Sequence, residues 1–248
     1  MKSLFAAIRF LTILPVPMSW AGTEHHLAGS VKYFPVVGLL IGVICAVVAW
    51  LVTPFFVMPL AAVLIVIALI VITGGLHLDG LADTADGFLS VSSRQRSLEI
   101  MKDSHTGAMG VIAIVCVVLV KITALAAVGE SRLLGTVLLM PVAGRCAQVF
   151  AISVLPYIRD ESGLGSVFCK NRTILNGIWA VAAVVVIGWL LLGSAGIAGA
   201  GGAVLVMVLF AIYCHWKIGG ITGDTIGAIS ELTEAVVPLA VLVSLAKL

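Results

Sequence analysis

Apolar residues run through this chain in blocks of about twenty, the length a helix needs to cross a bilayer. Blocks of this kind stand at 34–52, 56–74, 108–128, 133–155, 174–193, 196–214 and 226–246. The pattern predicts an all-α fold, a polytopic transmembrane helical bundle of about seven spans, with 1–248 as a single integral-membrane domain. The gaps at 53–55 and 194–195 suit tight turns, so the spans beside them should form antiparallel hairpins. The run GIAGAGGA at 196–203 suits close helix packing through small residues. One long polar segment, 75–107, separates the second span from the third. At the N-terminus Leu4, Phe5, Ile8 and Leu11 share a helical face, with Lys2 and Arg9 off it, and Pro15 and Pro17 follow. That reads as a short amphipathic helix, lying on the membrane surface or packed against the bundle. Arg9 and the early prolines count against a signal peptide.

Composition sharpens this picture. Hydrophobic residues make up 61% of the chain and charged residues only 10%, against roughly 25% charged in a soluble domain. The solvent for such a surface is lipid. A net charge of +2 argues neither for nor against an anionic partner, and the absence of a basic run counts against nucleic acid. The five cysteines form no C-x-x-C pair and fall mostly in apolar stretches, as small fillers rather than ligands or disulfides. Lysine and arginine set the orientation. With the N-terminus cytoplasmic, Lys2, Arg9, Lys32, Arg94, Arg96, Lys102, Arg159, Lys170, Arg172 and Lys217 lie inside. Only Arg132 and Lys247 lie outside. This predicts a multi-pass protein of the bacterial cytoplasmic (inner) membrane, its long polar segments facing the cytoplasm.

The chemistry concentrates in those segments. HLDGLADTADGF, 77–88, follows the second apolar block and holds three acids and no base. On a helix Asp79, Asp83 and Asp86 fall within an arc of roughly 60°, with Gly80 and Gly87 together beside it, where a ligand or another helix can approach the backbone. Two carboxylates about 6 Å apart repel by roughly 2–3 kcal/mol at an effective dielectric of 20. A hard cation such as Mg²⁺ would offset that, held by one or two carboxylates and by substrate phosphates. His77 lies on the opposite side of such a helix and reads as an interface or capping residue. A second acidic patch, EIMKDSHTG at 99–107, puts Asp103 at the same membrane face. A third, GGITGDTIGAISELTE at 219–234, opens with Gly219, Gly220 and Gly223 before a helix start. There Thr222 or Asp224 can cap, and exposed backbone N–H groups suit a phosphate.

Glu231 and Glu234 continue that helix into the membrane, where charge is costly and faces the bundle interior. Lys121 and Arg145 are the intramembrane cations. They suit an internal ion pair with Glu231 or Glu234, a group reaching a phosphate, or both. Between the fourth and fifth spans, 159–172 carries Gly163, Gly165, Arg159, Lys170 and Arg172, and suits a loop closing over an anionic substrate. Metal-binding acids, glycine-rich loops and bases at one membrane face predict phosphoryl-group transfer on a diphosphate. The spaced aspartates resemble those of CDP-alcohol phosphotransferases and of membrane prenyltransferases. A transporter using the intramembrane charges is the alternative from another class, though no inverted repeat stands out.

A more specific resemblance covers nearly the whole chain: FLTILPVP at 10–17, YFPVVGLLIG at 33–42, GGLHLDGLADTADGF at 74–88, EIMKDSHTGAMG at 99–110, GLGSVF at 163–168 and GGITGDTIGAISELTE at 219–234. In these motifs the chain resembles the cobalamin synthase family, the adenosylcobinamide-GDP ribazoletransferases. The resemblance implies an enzyme that joins adenosylcobinamide-GDP to α-ribazole or its 5′-phosphate. It would yield adenosylcobalamin or its 5′-phosphate and release GMP, with Mg²⁺ as cofactor. On this reading Asp79, Asp83 and Asp86 hold the metal. Asp103 or Asp224 takes the hydroxyl proton. Gly219, Gly220, Gly223, Lys121, Arg145, Lys170, Arg172, Glu231 and Glu234 contribute to substrate binding. The reading leaves homo-oligomerisation open.

Overall fold

In lipid every backbone N–H and C=O needs an internal partner, which restricts a spanning chain of this composition to helices. The computed structural model describes residues 1–90, 93–159, 164–170 and 172–245. Gly163 and Lys247 lie outside them. The described residues form α1 (Lys2–Leu11), α2 (Met18–Ala21), α3 (Glu24–Ala28), a 3₁₀ turn (Val31–Tyr33), α4 (Phe34–Val52), α5 (Met58–Thr73), α6 (Leu76–Leu89) and α7 (Arg94–Ile100). They continue with α8 (Ala108–Ala127), α9 (Glu130–Val154), α10 (Leu164–Cys169), α11 (Ile174–Leu192), α12 (Ser194–Ile218) and α13 (Gly223–Leu245). Among them no strand forms. A single parallel bridge joins Tyr157 to Ile221.

Helices α4, α8, α9, α11, α12 and α13 are long and apolar enough to cross a membrane. The shorter α5 is followed by α6, which turns away from its axis by 91°. Gly74 (φ 63°) and Gly75 (φ 69°) make that corner, in a left-handed conformation that only glycine adopts cheaply. α6 therefore leaves the line of α5, and the pair is apolar and long enough for a broken span or a re-entrant loop. The polar residues of 77–88 sit on this turned helix and not on a straight span.

At the centre stands α9, with 78% of its span buried against 22% for α8. It packs against α4, α11, α13 and α12. The outer surface is apolar, with Trp50, Trp189, Leu190 and Ile212 exposed, as lipid contact requires. The long connections meet at one end of the bundle. Lys170 reaches Glu24 at 2.8 Å, Arg159 reaches the Met101 carbonyl at 3.1 Å, and Lys217 reaches the Ser90 carbonyl at 3.4 Å. The short turns lie at the other end, where Val128, Ala195 and Val241 cluster. α1 buries Ala6, Ala7 and Leu11 and packs on α2, α3 and α4. Of the two placements open to an amphipathic N-terminal helix, this is packing against the bundle.

Candidate functional site

Within α6, Asp79, Asp83 and Asp86 escape the burial that takes most of their neighbours. The predicted acidic face exists. What it meets comes from α13. The two helices cross with glycines at the contact: a Cβ on Gly80 would stand 2.7 Å from the Asp224 carbonyl oxygen, and one on Gly227 would stand 3.2 Å from the His77 backbone. Backbone-to-backbone approach of this kind brings the start of α13 beside the acids of α6.

That start is built by local chemistry. Thr222 caps α13: its Oγ1 accepts from Thr225 N at 3.3 Å, and Thr225 Oγ1 accepts in return from Thr222 N at 2.8 Å. Asp224 in the first turn complements the positive end of the helix dipole. Gly219 closes α12 in the left-handed conformation, φ 81°. Gly220 packs against Pro156 and Ile158. Ile158 N donates to the Ile221 carbonyl at 3.1 Å, and Ile221 N to the Pro156 carbonyl at 2.9 Å. These bonds hold the segment leaving α9 alongside the one entering α13. Arg159 thereby lands 2.7 Å from the Asp224 carboxylate.

A cavity of about 270 Å³ opens here, lined by Asp79, Asp224, Gly223, Tyr157 and Arg159, with His77 and Gln148 deeper. Asp83 lies close enough to feel both Asp224 and Asp79. Burial first, then the repulsion of Asp224 and Asp79, pushes its carboxyl up to about 6, while Arg159 opposes the shift. Arg159 also lines an adjoining cavity of about 280 Å³ with Lys170 and Arg172. In it Arg172 donates to the Leu155 carbonyl at 3.0 Å. Lys170 pairs with Glu24, whose carboxyl is drawn below its usual range by that ammonium.

Asp86 has a different setting. Its carboxylate accepts from Gly107 N at 2.6 Å and Gly110 N at 2.9 Å, tying the first turn of α8 to α6. Asp103 stands apart from the cavity. It is exposed and bonded to the backbone and ring of His105, which lower its carboxyl below the usual range. Deeper in the bundle the four intramembrane charges meet. Arg145 reaches Glu234 at 2.7 Å, and Lys121 reaches Glu231 at 2.7 Å and Glu234 at 2.6 Å. Ser230 accepts from Arg145 at 2.9 Å. The expected Arg145–Glu234 pair is present, and Lys121 joins it.

Among the described residues no three His, Cys, Asp or Glu side chains stand close enough together to hold a metal unaided. The donor set still suits Mg²⁺. Asp79, Asp83 and Asp224 are hard oxygen ligands that repel one another, and Mg²⁺ commonly needs only one or two carboxylates when phosphate oxygens complete its shell. The residues fit an ion that shares its ligands with a phosphorylated substrate.

Four polar cavity residues escaped sequence reasoning as site members, Arg159, Tyr157, Gln148 and His77, and so did the aromatic lining of Phe10, Phe34 and Phe168. Arg159 was visible as a base in the 159–172 segment. Its partner Asp224 lies on a distant helix, and no periodicity links the two. His77 does sit at the α6–α13 interface, as its helical position suggests, yet its ring also lines the cavity.

The family model described as Cobalamin-5-phosphate synthase matches residues 3–242. A protein of Geotalea daltonii named adenosylcobinamide-GDP ribazoletransferase is 40% identical over 94% of both chains. Proteins of the same name from Roseiflexus sp. (41% identical, 93% of this chain and 85% of the relative) and Escherichia coli O17:K52:H18 (39%, 97% and 99%) are similar over comparable lengths. No solved structure matches the chain.

Proposed function

The chain belongs to the cobalamin-5-phosphate synthase family, a family of membrane transferases, and from that premise we propose that it joins adenosylcobinamide-GDP to α-ribazole or α-ribazole 5′-phosphate with the help of Mg²⁺. The observation that carries this reading is the convergence of Asp79, Asp224 and Arg159 at one cavity, with Asp83 close enough to feel all three. Acids that repel one another beside a fixed guanidinium form a site for a metal-bound diphosphate.

Asp79 and Asp83 would hold Mg²⁺, which would supply charge neutralisation to the diphosphate, while the Asp86 carboxylate stays on the backbone N–H groups that open α8. Arg159 spans Asp224 and the diphosphate. Asp224 lines the cavity and takes the proton from the ribazole hydroxyl, whereas Asp103 is too far out to serve. The hydroxyl oxygen bonds to the phosphorus attached to the cobinamide arm. The bond from that phosphorus to the bridging oxygen breaks, and GMP leaves with the electron pair. Gly223 at the α13 start and the bases Lys170 and Arg172 of the adjoining cavity bind the anionic groups of the nucleotide. Lys121, Arg145, Glu231 and Glu234 we assign to bracing α8, α9 and α13 behind the site, since their opposite charges pair with one another. The positive-inside bias supports a cytoplasmic face for this end of the bundle, at a bacterial inner membrane.

The test is turnover by the full-length protein in nanodiscs. GMP should appear only when adenosylcobinamide-GDP, an α-ribazole acceptor and Mg²⁺ are all present. Turnover of a CDP-alcohol or a prenyl diphosphate instead, or substrate uptake into vesicles with no GMP formed, would replace this reading with a different transferase or a transporter.

A further inference from the structure

Deep in the cavity two polar side chains have unmet hydrogen-bonding capacity. His77 is 2% exposed and neither ring nitrogen has a partner; Gln148 is 1% exposed and its Oε1 has none. Both line the same space. Buried polar groups in folded proteins are nearly always satisfied, and a pair left open on one cavity wall points to a ligand that satisfies them. The wall beside them is aromatic. The rings of Phe10 and Phe168 lie 4.6 Å apart, Phe34 and Phe168 5.5 Å, and Phe10 and Phe34 6.5 Å. These rings come from α1, α10 and α4, so the fold assembles this wall from three distant parts of the chain.

An apolar aromatic wall with donors and acceptors at its edge is the complement of a heteroaromatic ring. An aliphatic ligand would leave His77 and Gln148 unmet, and a free phosphate would gain nothing from three phenylalanines. At about 270 Å³ the cavity falls just below the roughly 300–1,000 Å³ of sites that enclose drug-sized ligands, so it takes a base and part of a sugar but no macrocycle. Resting on the transferase reading above, we propose that this inner cavity recognises the heteroaromatic base of a nucleoside substrate, packed against the wall of Phe10, Phe34 and Phe168 and read at its edge by His77 and Gln148. A base seated there directs its sugar toward Asp224 at the cavity rim, which favours the acceptor riboside over the guanine of the donor.

The first arm uses the unaltered protein, so no variant has to fold. Turnover and calorimetric binding are compared for α-ribazole and its indole riboside counterpart, in which the free ring nitrogen is a carbon. The site predicts about a tenfold or greater preference for α-ribazole, the worth of one lost hydrogen bond at ~1.4 kcal/mol. The second arm uses His77→Phe and Gln148→Leu, each checked for thermal stability. At least one should raise the KM and Kd for α-ribazole by about tenfold, leave the KM for adenosylcobinamide-GDP within about twofold, and narrow the preference over the indole riboside. A rise confined to the KM for adenosylcobinamide-GDP would keep base recognition and assign it to guanine. Equal use of both ribosides by the unaltered protein, with both KM values unchanged in both variants, would overturn the inference while leaving the transferase reading intact. Absence of GMP release from the unaltered protein would instead remove that reading, and this one with it.

Discussion

Three aspartates one helical turn apart have different surroundings, and substitution should separate them. Asp79→Asn and Asp224→Asn remove charge from the cavity wall and Asp83→Asn removes it beside them, and each should lower GMP release by at least about a hundredfold. Asp103→Asn, exposed and paired with His105, should keep most of the activity. The stability effects should run differently. Asp83 is an acid repelled by its neighbours, so in chelator the Asp83→Asn protein should melt no lower than the parent, and by up to about 3 °C higher. Asp86→Ala leaves two backbone N–H groups of α8 without their acceptor, which should cost about 1–3 kcal/mol and lower the melting temperature by several degrees. Scanning fluorimetry in detergent with EDTA checks both. A Asp83→Asn protein that melts well below the parent would mean that Asp83 is held by favourable contacts and not strained by repulsion.

Between helices, two joints position the site. The α6–α13 crossing has no room for a methyl group at Gly80, where an added Cβ would stand 2.7 Å from the Asp224 carbonyl oxygen. Gly80→Ala should force the helices apart and cost about 1–3 kcal/mol. Its effect on turnover should be larger, about tenfold or more, because the displacement separates Asp79 and Asp83 from Asp224. Activity that survives alongside a lowered melting point would show that the acids need not meet. The second joint is the buried charge network of α8, α9 and α13. Glu234→Met leaves Arg145 and Lys121 short of an anion and should destabilise by about 3–5 kcal/mol. Adding Arg145→Met should restore part of that, since Lys121 keeps Glu231 at 2.7 Å and the remaining pair is neutral. A double variant no more stable than the single would mean that Arg145 was not burdened by the loss of Glu234.

At the scale of the whole molecule, the bundle has one chemically equipped end and one plain end. Among the described residues the long connections, the two cavities lined by Arg159 and the acids of α6 gather at the first, and short turns make up the second. On the proposed function the substrates are water-soluble nucleotides that would reach the equipped end from the aqueous phase where they are made, and the lysine and arginine bias favours the cytoplasm as that phase. In a background with all five cysteines replaced, a membrane-impermeant maleimide should label Phe55→Cys from outside spheroplasts and leave Ser104→Cys unlabelled until the membrane is opened. The reverse labelling would invert the orientation.

The spans were legible in the sequence because the bilayer's demand is local: a run of apolar residues long enough to cross, with every backbone group bonded inside its own helix. Phe34–Val52 begins and ends where hydropathy places it, and the ends of α9, α12 and α13 differ by a few residues where glycine turns and polar caps set the limit. The acidic face of α6 was legible for the same reason, since the angle between Asp79, Asp83 and Asp86 follows from helix geometry alone. What each acid meets was not. Asp86 caps α8 and Asp224 joins Asp79 and Asp83 because of where helices cross, and Arg159 arrives through backbone bonds between 156–158 and 221. The aromatic wall and the open edges of His77 and Gln148 likewise exist only once α1, α4, α6, α9 and α10 are packed together. Periodicity fixes which side of a helix a residue occupies. Only the tertiary structure decides what lies across from it, because the partner comes from a part of the chain whose distance along the sequence has no bearing on its distance in space.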